Sequence, residues 1–101
     1  MQHEVSVEHI IREVAKAGNA ESEALKDRKT KCKDLRQMAM ELSYRYSSCK
    51  QKEIGAIFSV DYSTVRQSRR RLKIKLKSNR KLKKQYHRIQ GQVNILSNSK
   101  I

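Results

Sequence analysis

"KQKEIGAIFSVDYSTVRQSRRRLKIKLK", residues 50–77, decides how this chain is read. Up to Phe58 it has the apolar spacing of a short amphipathic helix. Ser59-Val60-Asp61 then breaks the pattern, and Asp61 is a residue type that caps a new helix. Residues 62–77 carry seven Lys/Arg and no acid, with Val65, Leu72 and Leu76 along an inner side and Ile74 pointing elsewhere. Taking Gln51 as the first position of a helix-turn-helix puts Gly55 where the two helices cross and only a small side chain fits. Ile54, Phe58, Val60 and Val65 fall on inward positions, and Ser59 takes the turn position where glycine is usual. In this register Gly55→Ala is expected to be tolerated, or to add helix propensity of up to about 1 kcal/mol.

The second helix of that register presents Tyr62, Ser63, Thr64, Arg66, Gln67, Arg69 and Arg70 outward near its start. Arg can grip guanine O6 and N7 with two bonds, Gln can pair with adenine N6 and N7, and Ser or Thr can reach a phosphate or a base edge. The spacing therefore points to a helix that reads the DNA major groove.

Charge supports the same partner. The net charge is +14, and all ten acids lie at or before Asp61. Residues 1–61 hold 11 Lys/Arg against those ten acids, whereas residues 62–101 hold 13 Lys/Arg and none. Solubility does not require forty residues without an acid, so the asymmetry is the footprint of a polyanion, with nucleic acid first and an anionic membrane surface second. A further basic segment, "KDRKTKCKDLR" (26–36), lacks apolar periodicity and reads as a basic loop over about 26–34 that runs into the next helix.

Elsewhere the pattern is helical. Ser6 caps a helix whose face is Val7, Ile10, Ile11, Val14 and Ala15, closed by Gly18. "AESEAL" (20–25) adds a short turn, and Leu35, Met38, Ala39, Leu42 and Tyr46 mark a four-turn helix from about Lys33. Ser48 with Gln51 matches a capping box for the helix through Phe58. After a break at Ser78-Asn79, Leu82, Tyr86, Ile89, Val93 and Leu96 step by four and three, with Gly91 interrupting. There is no Pro and only three Gly, so hairpin punctuation is missing. The expectation is an all-α chain of five to six helices: one domain over 1–90, including a basic helix at 80–90, and a flexible tail over 91–101.

Other chemistries find no support. No apolar run is long enough to span a membrane, and the N-terminus lacks the basic and apolar regions of a signal peptide. Cys32 and Cys49 form no CxxC, and the three His are scattered, so two ordinary thiols in a reduced intracellular protein are expected. With no nucleophile–base pair, metal cluster or phosphate-cradling loop, the chain reads as a non-enzyme with no cofactor, metal or small-molecule ligand; self-association is left open.

The run "DLRQMAMELSYRYSSCKQKEIGAIFSVDYSTVRQ" resembles the C-terminal DNA-binding domain of the bacterial replication initiator DnaA. The pieces that carry the likeness are Arg36-Gln37-Met38-Ala39-Met40, Glu53-Ile54-Gly55, Phe58 and Asp61-Tyr62-Ser63-Thr64-Val65, and about residues 5–79 are covered. The turn Ser59-Val60-Asp61-Tyr62 is one residue shorter than the initiator's and is more similar to the DnaA-like domain that ends repeat-associated tyrosine transposases. No His-hydrophobic-His site accompanies it, so the chain is not itself the nuclease of such an enzyme.

The resemblance implies a DnaA-like (Trp-repressor-like) helical domain in a bacterial cytoplasm, at the nucleoid, binding double-stranded DNA site-specifically. It implies that Arg28, Lys29 and Lys31 reach the minor groove and phosphates. Arg36 and Gln37 would meet the backbone, Lys52 would sit near a phosphate, and Asp61, Ser63, Thr64 and Val65 would open the reading helix. Whether the chain is part of a transposase-related or initiator-like protein or stands alone stays open. So do two rival readings: a sigma-factor-like transcription regulator, and a basic membrane-surface or protein-interaction helix over 62–90.

Overall fold

The computed structural model describes residues 5–98. Among them are six helices and no strand: α1 (Val7–Ala17), α2 (Ser22–Lys26), α3 (Lys33–Tyr46), α4 (Gln51–Ile57), α5 (Tyr62–Ser78) and α6 (Arg80–Asn98). The core takes Ile10, Ile11 and Val14 from α1, Met38 and Leu42 from α3, and Ile54 and Phe58 around α4. Val65 and Leu72 of α5 and Tyr86, Ile89 and Val93 of α6 complete it. Within each helix these residues fall on one side, most of them three, four or seven apart, so each helix turns one stripe inward and leaves most of its charges outward.

Local chemistry starts the helices. The His9 amide donates to Ser6 Oγ at 3.1 Å at the head of α1, and the Thr64 amide donates to Asp61 Oδ1 at 2.8 Å at the head of α5. At α4 the boundary differs from the Ser48–Gln51 capping box. The N-cap is Lys50, whose amide donates to Glu53 Oε1 at 2.9 Å. Glu53 supplies the returning half of a box without a hydroxyl at the cap.

Two helices stop in the same way. At the end of α1 the Ala20 amide donates to the Ala15 carbonyl at 2.8 Å, and at the end of α4 the Val60 amide donates to the Gly55 carbonyl at 2.8 Å. These are Schellman closures, which need a left-handed residue just past the cap. Asn19 (φ 56°) and Ser59 (φ 61°) fill that place. Gly18 is therefore not the left-handed residue its position promised. Its backbone is at φ −94°, and a Cβ there would press on the Leu35 methyls, 2.7 Å from Cδ2.

The C-terminal segment also departs from expectation. α6 passes through Gly91 unbroken to Asn98, with Val93 and Ser97 buried, so the tail expected from residue 91 is helical as far as residue 98 and packs against the domain through Val93 and Ser97. A Cβ at Gly91 would meet nothing within 4 Å. On a solvent face glycine costs about 1 kcal/mol of propensity, too little to break a helix held by Ile89 and Val93 on its other side. Residues 99–101 of the expected frayed end lie outside the described residues. No described helix is long and apolar enough to cross a membrane.

Candidate nucleic-acid interface

The turn between α4 and α5 is built on Gly55. A Cβ at this buried glycine would sit 2.5 Å from the Val60 carbonyl oxygen and 3.2 Å from the Asp61 carbonyl carbon. What occupies the space is thus the backbone of the turn, which cannot swing aside as a side chain can. This corrects the expectation that alanine would be tolerated. The closeness lets the chain reverse within residues 58–61 and deliver Asp61 to the start of α5. Asp61 Oδ1 accepts from the Ser63 hydroxyl at 2.9 Å as well as from the Thr64 amide. Hydrogen bonds from the Thr64 side chain, the Thr64 amide and Ser63 hold the Asp61 carboxyl below its ordinary range. Its charge is directed into the cap.

Arg36 joins this turn to the basic loop. Its Nη1 donates to the Leu25 carbonyl at 2.9 Å and its Nη2 to the Phe58 carbonyl at 2.7 Å. The guanidinium lies over the Phe58 ring, 5.2 Å from the centroid. Only 8% of Arg36 is exposed, and burial, followed by the nearby Arg28 charge, lowers its pKa from the ordinary value. Arg36, expected at the DNA backbone, is instead an internal clamp between the residue before the basic loop and the residue before the turn.

The loop itself is ordered by short-range bonds. The Lys29 amide donates to Asp27 Oδ1 at 2.9 Å and the Cys32 amide to Thr30 Oγ1 at 3.1 Å. Asp27 and Thr30 thereby turn the chain, while Arg28, Lys29 and Lys31 stay exposed.

The clamp sets loop and α5 face to face across a groove of about 620 Å³, lined by Arg28, Lys33, Arg36 and Gln37 on one side and Thr64, Ser68 and Arg71 on the other, with Ser59 to Asp61 at the turn. Its only acid is Asp61. A second hollow on the other flank of α5 is lined by Ser63, Arg66, Gln67, Arg69, Arg70 and Lys73. Of these, Ser63, Gln67 and Arg70 follow one outward line at three- and four-residue steps that continues to Ile74, and all four are exposed. Tyr62 is exposed at the head of α5 and Lys52 in the first turn of α4.

Two candidates from α5 face inward. Val65 has no exposed surface and belongs to the core. Arg69 turns towards α3 and the start of α4: its Nε donates to Glu41 Oε1 of α3 at 2.6 Å, its Nη1 to Gln51 Oε1 of α4 at 2.8 Å, and its guanidinium stacks 3.5 Å from the ring centroid of Tyr44 on α3. The Glu41 side chain is only 7% exposed, so Arg69 is what makes the burial of its charge tolerable. Further along, Lys75 Nζ donates to Asp34 Oδ1 at 2.7 Å and Gln37 Oε1 at 3.1 Å. Gln37 is therefore shared between the groove and the α3–α5 contact.

Lys33, Ser68 and Arg71 line the groove but escaped the sequence reading. The signal was there for two of them: Thr64, Ser68 and Arg71 stand at i, i+4 and i+7 on one face. Lys33 could not be found this way, because its place depends on how α3 crosses α5. Among the described residues no cluster of His, Cys, Asp or Glu could hold a metal ion, and Cys32 and Cys49 are unbridged thiols. No protein-family model matches the chain, and no curated protein is significantly similar to it.

Proposed function

We propose that α4 and α5 are the helix-turn-helix of a DnaA-like module that binds double-stranded DNA at specific sequences, and that the chain is a binding protein and not an enzyme. The observation that carries this reading is the groove in which Arg28 of the loop and Lys33 of α3 stand opposite Thr64, Ser68 and Arg71 of α5. Its one carboxylate, Asp61, is engaged in capping. The surface is cationic, polar and concave, as a phosphate backbone beside an inserted helix requires. The line Ser63, Gln67 and Arg70 supplies base-reading side chains with Arg66 beside it, and Lys52, exposed in the first turn of α4, is a further cation for a phosphate. A place at the bacterial nucleoid, in a transposase-related or initiator-like protein, follows from the same resemblance.

Fluorescence anisotropy with a labelled duplex at several salt concentrations tests the reading. With about 5–8 phosphate contacts, log K should fall against log salt with a slope of about −4 to −7. Replacing Arg28, Lys29 and Lys31 together with Ala should weaken all duplexes by similar factors, since phosphate contacts position without specifying. A slope near zero, or a triple variant that binds as tightly as the parent, refutes it.

A further inference from the structure

The start of α6 is electrostatically wrong for a helix left to itself. The macrodipole favours acids in the first turn, yet α6 opens Arg80-Lys81-Leu82-Lys83-Lys84 with no acid there. Its amides are capped by a neutral group, the Asn79 side-chain oxygen, which accepts from the Leu82 amide at 3.0 Å. Arg80, Lys84 and Arg88 then repeat at four-residue steps with Lys81 beside them. Like charges at that spacing repel one another.

These four cations are exposed on the face opposite Leu82, Tyr86, Ile89 and Val93. None of them forms an ion pair among the described residues, whereas Arg69 and Lys75, at the α3 contact, each meet a carboxylate. The charge is also confined. Residues 89–98 of the same helix contain no Lys or Arg. A solubilising face would spread along α6, but this one is gathered at the end joined to α5, where the extended backbone of Asn79 (φ −122°, ψ 101°) bends the chain.

We propose that this α5–α6 elbow is a second phosphate-binding surface, which takes the backbone of the same DNA duplex beyond the part read by α5. It rests on the reading of α5 as the DNA-contacting helix. At 1.5 Å per residue the elbow stands about 22 Å along α5 from Ser63, too far to share the phosphates next to the reading end. A polyanion bound there neutralises the repulsion along the stripe and the misplaced charge at the start of α6. The duplex is favoured over a membrane because the elbow has no broad apolar edge to bury: among the described residues its large exposed hydrophobics are Ile74, alone on α5 before the elbow, and Ile95, past the charged turns of α6.

The test compares the parent with a variant carrying Arg80→Ala, Lys81→Ala, Lys84→Ala and Arg88→Ala, and with the matching four-fold Gln variant in case the first fails to fold. Removing the repulsion should leave the melting temperature unchanged or raised. Binding is measured on a duplex of about one helical turn, 10 bp, and on one extended by a further turn at each end. The parent should gain affinity with length, and its salt slope on the long duplex should be steeper than the variant's by about 3–4. On the short duplex the two should match. Equal slopes on the long duplex overturn the elbow while leaving α5 as the reading helix. Failure of every protein on both duplexes overturns the DNA reading itself. Sedimentation with vesicles of equimolar phosphatidylserine and phosphatidylcholine, lost in the variant while its duplex binding is unchanged, would assign the elbow to a membrane instead.

Discussion

Arg36 donates to the Phe58 carbonyl at 2.7 Å while its guanidinium lies against the ring of the same residue, so one side chain holds both the backbone and the side chain that end α4. Its other arm holds Leu25, the last buried residue before the basic loop. Replacing Arg36 with Ala leaves two carbonyls without their donor and should cost about 3 kcal/mol. Lys cannot bridge both acceptors, so Arg36→Lys should recover less than half of that. Urea unfolding gives the cost. At temperatures where the variant is folded, affinity for all duplexes should fall together, because loop and turn lose their spacing.

Arg69 and Glu41 form the second tie, and their exchange separates structure from recognition. Arg69→Ala strands a buried carboxylate and should cost about 3 kcal/mol. Arg69→Met with Glu41→Leu removes both charges and should return most of the stability, as measured by thermal melting. Since Arg69 faces α3, the double variant should keep the parent's order of preference among DNA sequences. A changed preference would return Arg69 to the reading surface.

At the turn, two neighbouring positions should respond in opposite directions. Gly55→Ala forces a methyl against the Val60 carbonyl and should destabilise by about 1–3 kcal/mol. Ser59→Gly relieves a left-handed backbone that costs a side chain about 1–2 kcal/mol, and should raise the melting temperature. Equal melting temperatures for the two variants would show that the turn is not held as described.

Asp61 ties the start of α5 to pH. Its folded pKa lies below the unfolded value, so the cap's contribution is complete above the unfolded carboxylate pKa, about 3.9. It is lost as pH falls through the lower, folded value. Asp61→Asn keeps a capping oxygen without a titrating group. The variant's urea midpoint should therefore change less than the parent's between neutral pH and pH 3.

The helical class and the breaks at residues 59–61 and 78–79 were legible because they rest on chemistry within a few residues. Ser6 and Asp61 cap amides three positions on, and apolar steps of three and four are local. What escaped the sequence is tertiary. Arg36 and Arg69 are cations in basic surroundings, and nothing nearby says that one ends on the Phe58 carbonyl and the other on Glu41. Gly55 was read as a crossing point, but its intolerance comes from the turn folding back over it. Gly91 was read as an interruption because sequence does not show which side of α6 faces solvent.

The central claim, that α5 reads base sequence, is tested most directly by selecting bound duplexes from a random pool with the parent and with an Arg70→Ala variant. The parent should enrich one motif, and the variant should relax it at a single position, losing about 1–3 kcal/mol of discrimination there. Pools that stay random after repeated rounds, with binding that depends on salt alone, would contradict the account: the protein would then hold DNA by its charge and read nothing.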